Sequence, residues 1–227
     1  MWITAAALLF FQAANPGVEG MKALEEGKYE AAAEAFTKAV AADPSDYSAH
    51  FNLALAYSFL QQDARGIAEY HKTLELRPWL YEAQLNLGML LLREKNPADA
   101  RPLLEAAVAQ KPAEFRPRFY LAEAELGTGD AVKAEADYRT ALEANAKAAG
   151  AQLGLARALS QQGKLGDAAP HFRMAAELDS NYRDSLLELA VLYERSGQLG
   201  EAIEIYRQFP DQAAAQERLG ALLLESK

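Results

Sequence analysis

A step of 34 residues governs this sequence. Pro44, Pro78 and Pro112 recur at that interval. Ala32, Gly66, Ala100, Ala134, Ala168 and Ala202 keep it without a break, and so do Phe36, Tyr70, Leu104, Tyr138, Phe172 and Tyr206. Further columns are Ala39, Thr73, Ala107, Ala141 and Ala175, then Leu53, Leu87, Leu121, Leu155 and Leu189. Gly20, Ala54, Gly88, Ala122, Ala156 and Ala190 complete the set. Columns that stay in register over five or six units mean one supersecondary element repeated, each copy burying its apolar face on the next.

Each unit holds two helix-length segments. In the second, Leu53, Ala54, Tyr57 and Leu60 give one helical stripe, and Gln61, Gln62 and Asp63 break it. Ile67, Tyr70 and Leu74 give the next stripe. Pro78 ends that one, because proline lacks the amide donor and restricts the residue before it. Gly27, Gly129, Gly163 and Gly197 mark the turn inside other units, as glycines past helix ends do. The Ala and Gly columns let two helices approach, and the Leu, Tyr and Phe columns fill the space between them.

This pattern of small, aromatic and proline columns resembles the tetratricopeptide repeat, a helix–turn–helix unit of 34 residues, over about residues 15–227. The resemblance implies an all-α, right-handed superhelical solenoid of about six units plus a C-terminal capping helix. The units begin near residues 15, 47, 81, 115, 149 and 183, the solenoid runs over 15–212, and 213–227 form the cap. Pro210 shortens the sixth unit, and Gln212, Gln216, Glu217, Glu225 and Lys227 are expected on the wet side of the closing helix. Pro102 and Pro170 fall early in second helices, where they read as tolerated near a helix start or as a bend. Glu125 takes the column of Tyr57, Leu91, Leu159 and Tyr193. It is expected to lean to solvent or pair locally, with Arg118 or Arg157 as candidate partners, or else to serve recognition.

Residues 1–14, MWITAAALLFFQAA, carry no side-chain charge and are too few to span a bilayer. They read as a signal peptide, a short membrane-associated anchor, or a helix packed on the first unit; no Lys or Arg precedes the apolar run. A signal peptide would place the protein in the periplasm or outside the cell, and otherwise it is cytoplasmic. Membrane proximity is expected through this segment alone. The chain of 227 residues has net charge −9, with 10 basic and 14 acidic residues in 1–112 and 13 and 18 in 113–227. No basic arm is present, which disfavours nucleic acid as a partner. There is no Cys, so thiol catalysis and thiolate metal sites are excluded.

Other chemistry is thinly represented. His50, His71 and His171 lack metal-ligand spacing and read as surface or half-buried residues. No phosphate-binding glycine loop and no Gly-x-Ser-x-Gly occurs. The expectation is a protein that is not an enzyme and uses no cofactor or metal.

In the family, the first helices line a concave surface. In units two to four that surface reads as apolar: Phe51, Leu55 and Phe59, then Leu85, Met89 and Leu92, then Phe119 and Leu126 with Tyr120 beside them. Asn52, Asn86, Arg116 and Glu123 rim it. Apolar anchors flanked by amides and one guanidinium suit an extended or amphipathic peptide. The same side chains could instead be packing between units. Units five and six carry Gly154, Arg157, Gln161, Glu188, Glu194 and Arg195 there, a more polar set. The family's carboxylate-binding pattern is incomplete, since its places hold Gly17, Met21, Asn52, Glu82 and Asn86. The expected function is a protein-interaction module holding a partner segment, an adaptor or assembly factor of the bacterial cell envelope. The alternatives are a self-associating scaffold and a regulatory region of a larger enzyme.

Overall fold

A computed structural model describes residues 15–225. The apolar residues 1–14, with their signal-peptide reading, lie outside them, as does Lys227. The described residues form thirteen α-helices and one 3-10 turn, without a strand. They divide into two compact units, 15–90 and 91–225.

The first unit holds α1 (Pro16–Glu25), α2 (Tyr29–Ala42), α3 (Tyr47–Phe59), α4 (Asp63–Leu76) and most of α5 (Tyr81–Arg93). Each of α1, α2 and α3 packs on its successor, and α1 also touches α3, so helical pairs lie in single file. Phe36, Leu53 and Tyr57 meet Ala23, Ala32, Ala33 and Ala56 in one core. Burying a side chain such as Phe36 contributes roughly 2–3 kcal/mol. Gly20 is required there, because a Cβ on it would stand 2.7 Å from the Phe36 ring.

The second unit holds α6 (Pro97–Gln110), α7 (Phe115–Gly127), α8 (Ala131–Ala144), α9 (Ala149–Gln161), α10 (Leu165–Leu178), α11 (Ser185–Arg195), α12 (Leu199–Tyr206) and α13 (Ala213–Glu225). Again each helix packs on the next, and α7 touches α9. Tyr138, Phe172 and Tyr206 occupy one seam position after another, closed over by Ala122, Ala156 and Ala190. The 3-10 turn at Ser180–Tyr182, begun by the Asp179 carboxylate accepting from the Asn181 amide, delays α11 to Ser185. Helix α12 stops after eight residues, before Pro210.

Two sets of contacts hold the hairpins at fixed steps. Gly27, Gly129, Gly163 and Gly197 sit at φ from 70 to 85°, and Gln61 and Lys95 adopt the same left-handed geometry at 56 and 59°. The polar break read at 61–63 is therefore the glycine turn built from a residue that tolerates it less well. The second set was hidden in the sequence. His50, Gln84, Arg118 and Gln152 stand 34 residues apart. Each donates to a carbonyl six residues earlier: Pro44 (3.1 Å), Pro78 (2.9 Å), Pro112 (3.1 Å) and Ala146 (3.1 Å). Three of them also reach the second helix of their own hairpin, His50 to Glu69 (2.6 Å), Arg118 to Asp137 (2.5 Å) and Gln152 to His171 (2.7 Å). This polar staple ties the turn between hairpins to both of its helices.

Three expectations change. His50 is buried at 6% exposure, satisfied by Glu69 and Pro44, so it is neither a surface nor a half-buried histidine. Pro102 and Pro170 are the sixth residues of α6 and α10 and their helices run on past them. Gln212 and Gln216 are half-buried rather than fully wet: Gln212 donates to Asp184 (3.0 Å) and Gln216 to the carbonyl of Phe209 (3.1 Å), binding the start of α13 to the preceding hairpin. Its exposed side carries Glu217 and Glu225 together with Leu224, at 73% exposure.

Candidate peptide-binding site

In the first unit, Phe51, Asn52, Leu55 and Phe59 project from α3, and Leu85, Asn86 and Met89 from α5. Phe51 is half-buried, its ring edge-on to Tyr70 with centroids 5.6 Å apart. Leu55 and Met89 are half-buried. Phe59 is 52% exposed but lies flat on Tyr29 of α2, at 4.5 Å. Leu85 is 4% exposed and belongs to the packed interior, a correction to its place in the exposed stripe. The Asn86 amide donates to the Tyr70 hydroxyl (3.2 Å), so one of its donors serves the hairpin rather than a ligand.

Asn52 is placed differently. It lines an open hollow of about 510 Å³ with Asn15, Gly17, Val18, Met21, Phe36, Asp46, Ser48 and Ala49. Val18 and Met21 are exposed at 66% and 43%, large values for apolar side chains beside a concavity. Gly17 lines the hollow without a side chain, and a Cβ added there would meet Asn15 Oδ1 at 3.3 Å and nothing else within 4 Å. Three places weighed for carboxylate binding, Gly17, Met21 and Asn52, thus come together as a largely apolar seat. The stripe drawn from units two to four missed α1, whose short apolar pattern gave it little weight.

In the second unit, Arg116, Phe119, Tyr120 and Glu123 lie on α7. Arg116 is exposed and Tyr120 half-exposed. Phe119 stacks on Phe115 (5.5 Å) and meets Tyr120 (5.1 Å) and Tyr138 (6.1 Å) edge-on, which makes it largely packing and only partly surface. Glu123 is no free rim group: it accepts from the buried Tyr138 hydroxyl. Burial pushes its carboxyl above the usual range, against the pull of Tyr138 and Arg157. Gly154, read as part of a polar face, is buried against the Tyr138 ring. Arg157 pairs bidentately with Glu188, Nη2 to Oε2 at 2.9 Å and Nε to Oε1 at 3.2 Å, and Glu194 accepts from Tyr206 and Arg218. The polar face is therefore internally paired at these positions.

Glu125 departs furthest from expectation. It is 2% exposed, not turned to solvent. Neither expected arginine pairs with it, since Arg118 binds Asp137 and Arg157 binds Glu188. Its cation is Arg101 of α6, 3.6 Å from Oε1, while Oε2 has no hydrogen-bond partner. Among the described residues no group of His, Asp and Glu is arranged to hold a metal, and no helix is long and apolar enough to cross a membrane.

Sequence comparisons agree with this architecture. Models of the TPR repeat match residues 23–59, and tetratricopeptide-repeat models match 60–115, 85–149, 119–183 and 160–225. Cellulose synthase operon protein C of Xanthomonas axonopodis pv. citri is 34% identical over 166 residues, 68% of this chain and 11% of that protein. A tetratricopeptide repeat and J domain-containing co-chaperone of Cryptococcus neoformans var. grubii is 30% identical over 88 residues, 39% of this chain and 17% of that protein. The chain thus spans under a fifth of either relative's length. Among solved structures, MamA 41-end from Desulfovibrio magneticus RS-1 superposes with a TM-score of 0.68 at 23% identity, covering 74% of this chain and 97% of that one. MamA AMB-1 gives 0.67 at 25%, covering 73% and 98%. Repeats and neighbours of this kind make a protein-interaction scaffold, and the chain belongs to the tetratricopeptide-repeat family.

Proposed function

We propose that the protein is a non-enzymatic adaptor that seats an apolar side chain of a partner segment in the hollow between α1 and α3. The observation that carries this is the hollow itself, floored by Phe36 and flanked by exposed Val18 and Met21 beside the Asn52 amide. The apolar groups supply affinity by losing water, and Asn52 can both donate to and accept from a peptide backbone. Arg116 and Tyr120 offer a second contact face on α7. The likeness to a cellulose synthase operon protein, together with the apolar residues 1–14, supports a role in the bacterial cell envelope, in the periplasm if those residues act as a signal peptide.

The test pans a displayed peptide library against the wild-type chain and against Met21→Asp and Asn52→Ala, both at partly exposed positions. Peptides enriched on the wild type that lose at least about tenfold in affinity, roughly 1.4 kcal/mol, for the helical Met21→Asp protein support the reading. Equal binding to both proteins refutes it. Exposed Leu224 on α13 favours self-association as a second reading. A monomer mass independent of concentration by light scattering removes that reading.

A further inference from the structure

Glu125 lies where α6 meets the α7–α8 hairpin, amid charges that come from every side. From α6, Arg101 Nη2 stands 3.6 Å from Glu125 Oε1 and 3.3 Å from Asp130 Oδ2, and Arg101 Nε bonds Glu105 (3.0 Å). From the turn and α8 come Asp130, Lys133 (3.5 Å from Asp130) and Asp137. Arg118, on the same helix as Glu125, holds Asp137 at 2.5 Å. Arg157, the one charged residue of α9, is bound to Glu188. The Tyr138 phenol of α8 is committed to Glu123.

The cluster therefore sets three cations, Arg101, Arg118 and Lys133, against four carboxyl groups, Glu105, Glu125, Asp130 and Asp137. One proton would balance it. Glu125 is where that proton is needed: it is the most deeply buried of the four, and its Oε2 is the one buried side-chain polar atom without a partner among the described residues. An ionised carboxylate left in that condition is strongly unfavourable.

We propose that Glu125 is a proton-binding site built into this seam: the protonated carboxyl donates its hydrogen to Asp137 and closes α6 against the α7–α8 hairpin, and loss of the proton to solvent loosens that contact. Burial, followed by the nearby Asp137, pushes the Glu125 carboxyl up to about 7, while Arg101 pulls the other way. The folded chain then binds a proton that the unfolded chain, with an ordinary glutamate, has released. Its stability falls as pH rises from the ordinary carboxylate range through about 7, and the loss levels off above. The inference does not depend on the peptide reading, since no ligand enters the test.

Urea unfolding of the full chain is followed from about pH 5 to about pH 8.5 for the wild type and for Glu125→Gln, whose neutral amide can donate to Asp137 at every pH. Over that range the wild type should lose about 30- to 300-fold in its folding equilibrium relative to Glu125→Gln, as expected when a proton-binding constant changes on folding by about two units. Parallel profiles overturn the proposal. Infrared difference spectra of the wild type, with isotope-labelled glutamate, keep it testable should the variant fail to fold. A protonated glutamate carbonyl band that persists to about pH 6.5 and fades by about pH 8 supports the site, and a band gone by about pH 5.5 refutes it.

Discussion

Replacing Gly154 by alanine adds one methyl group to the middle of α9, and two effects of opposite sign follow. Helix propensity alone favours alanine over glycine by about 1 kcal/mol. Packing opposes it. A Cβ at Gly154 would lie 2.2 Å from Tyr138 Cζ, 2.3 Å from Cε1 and 2.5 Å from the hydroxyl oxygen. Carbon atoms in contact need about 3.5 Å or more, so the ring must move by more than an ångström. It has nowhere to go: Tyr138 is fully buried, meets Phe119 edge-on and donates to Glu123. Overpacking a tight core is unfavourable by about 1–3 kcal/mol, and losing the hydroxyl bond and the aromatic contact adds about 1 kcal/mol each. After subtracting the propensity gain, Gly154→Ala should destabilise the chain by roughly 2–4 kcal/mol. Urea unfolding followed by circular dichroism measures this. Gly166→Ala is the control: in α10, nothing lies within 4 Å of the added Cβ, so propensity acts alone and stability should rise by up to about 1 kcal/mol. Pairing Gly154→Ala with Tyr138→Leu should show a favourable coupling above about 1 kcal/mol, because the clash is then relieved. A Gly154→Ala protein as stable as the wild type would refute the claim that the aromatic column and the small residues opposite it form rigid seams.

Two further outcomes test electrostatics and backbone. The Glu135 carboxyl is held down to about 2, first by its hydrogen bond with Lys164 and then by Gln162 and Arg139. Its contribution is present above the ordinary carboxylate range and disappears as pH falls toward about 2. Glu135→Gln should therefore be less stable than the wild type by roughly 1–2 kcal/mol near neutrality, allowing for solvent screening. The two acid-unfolding curves should converge at low pH, and a constant gap would refute the assignment. Pro102 removes one amide from the interior of α6, and its ring is exposed. Pro102→Ala should raise stability by about 1–3 kcal/mol in the same urea assay by restoring the bond to the Ala98 carbonyl; a loss would mean that the proline shapes a bend the seam requires.

What the sequence disclosed and what it withheld differ in physical kind. The 34-residue step exposed the seams because a buried contact between Tyr138 and its small neighbours restricts residue size at every repeat, and size is visible in a column. The polar staple obeys the same step but escaped notice, because His50, Gln84, Arg118 and Gln152 share a hydrogen-bonding role rather than a size or charge. Glu125 shows the limit of reading one column at a time. An acid in an aromatic column looks like a residue that must escape to water, and it stays buried only because Arg101 reaches in from α6. Arg101 stands one unit earlier, at the place that Ala33 holds before Tyr57. The two departures form one exchange, Ala with Tyr for Arg with Glu, and each makes sense only beside the other. The candidate site was the least legible part for a related reason. Exposed apolar residues and seam residues obey one periodicity, so Leu85 and Met21 could be told apart only by whether a neighbouring hairpin covers them. That depends on what the adjoining helix presents, as at Gly17, which lines the hollow with backbone alone. A ligand seat in a repeat protein is a place where the repeat leaves a gap, and a method that looks for recurrence registers gaps last.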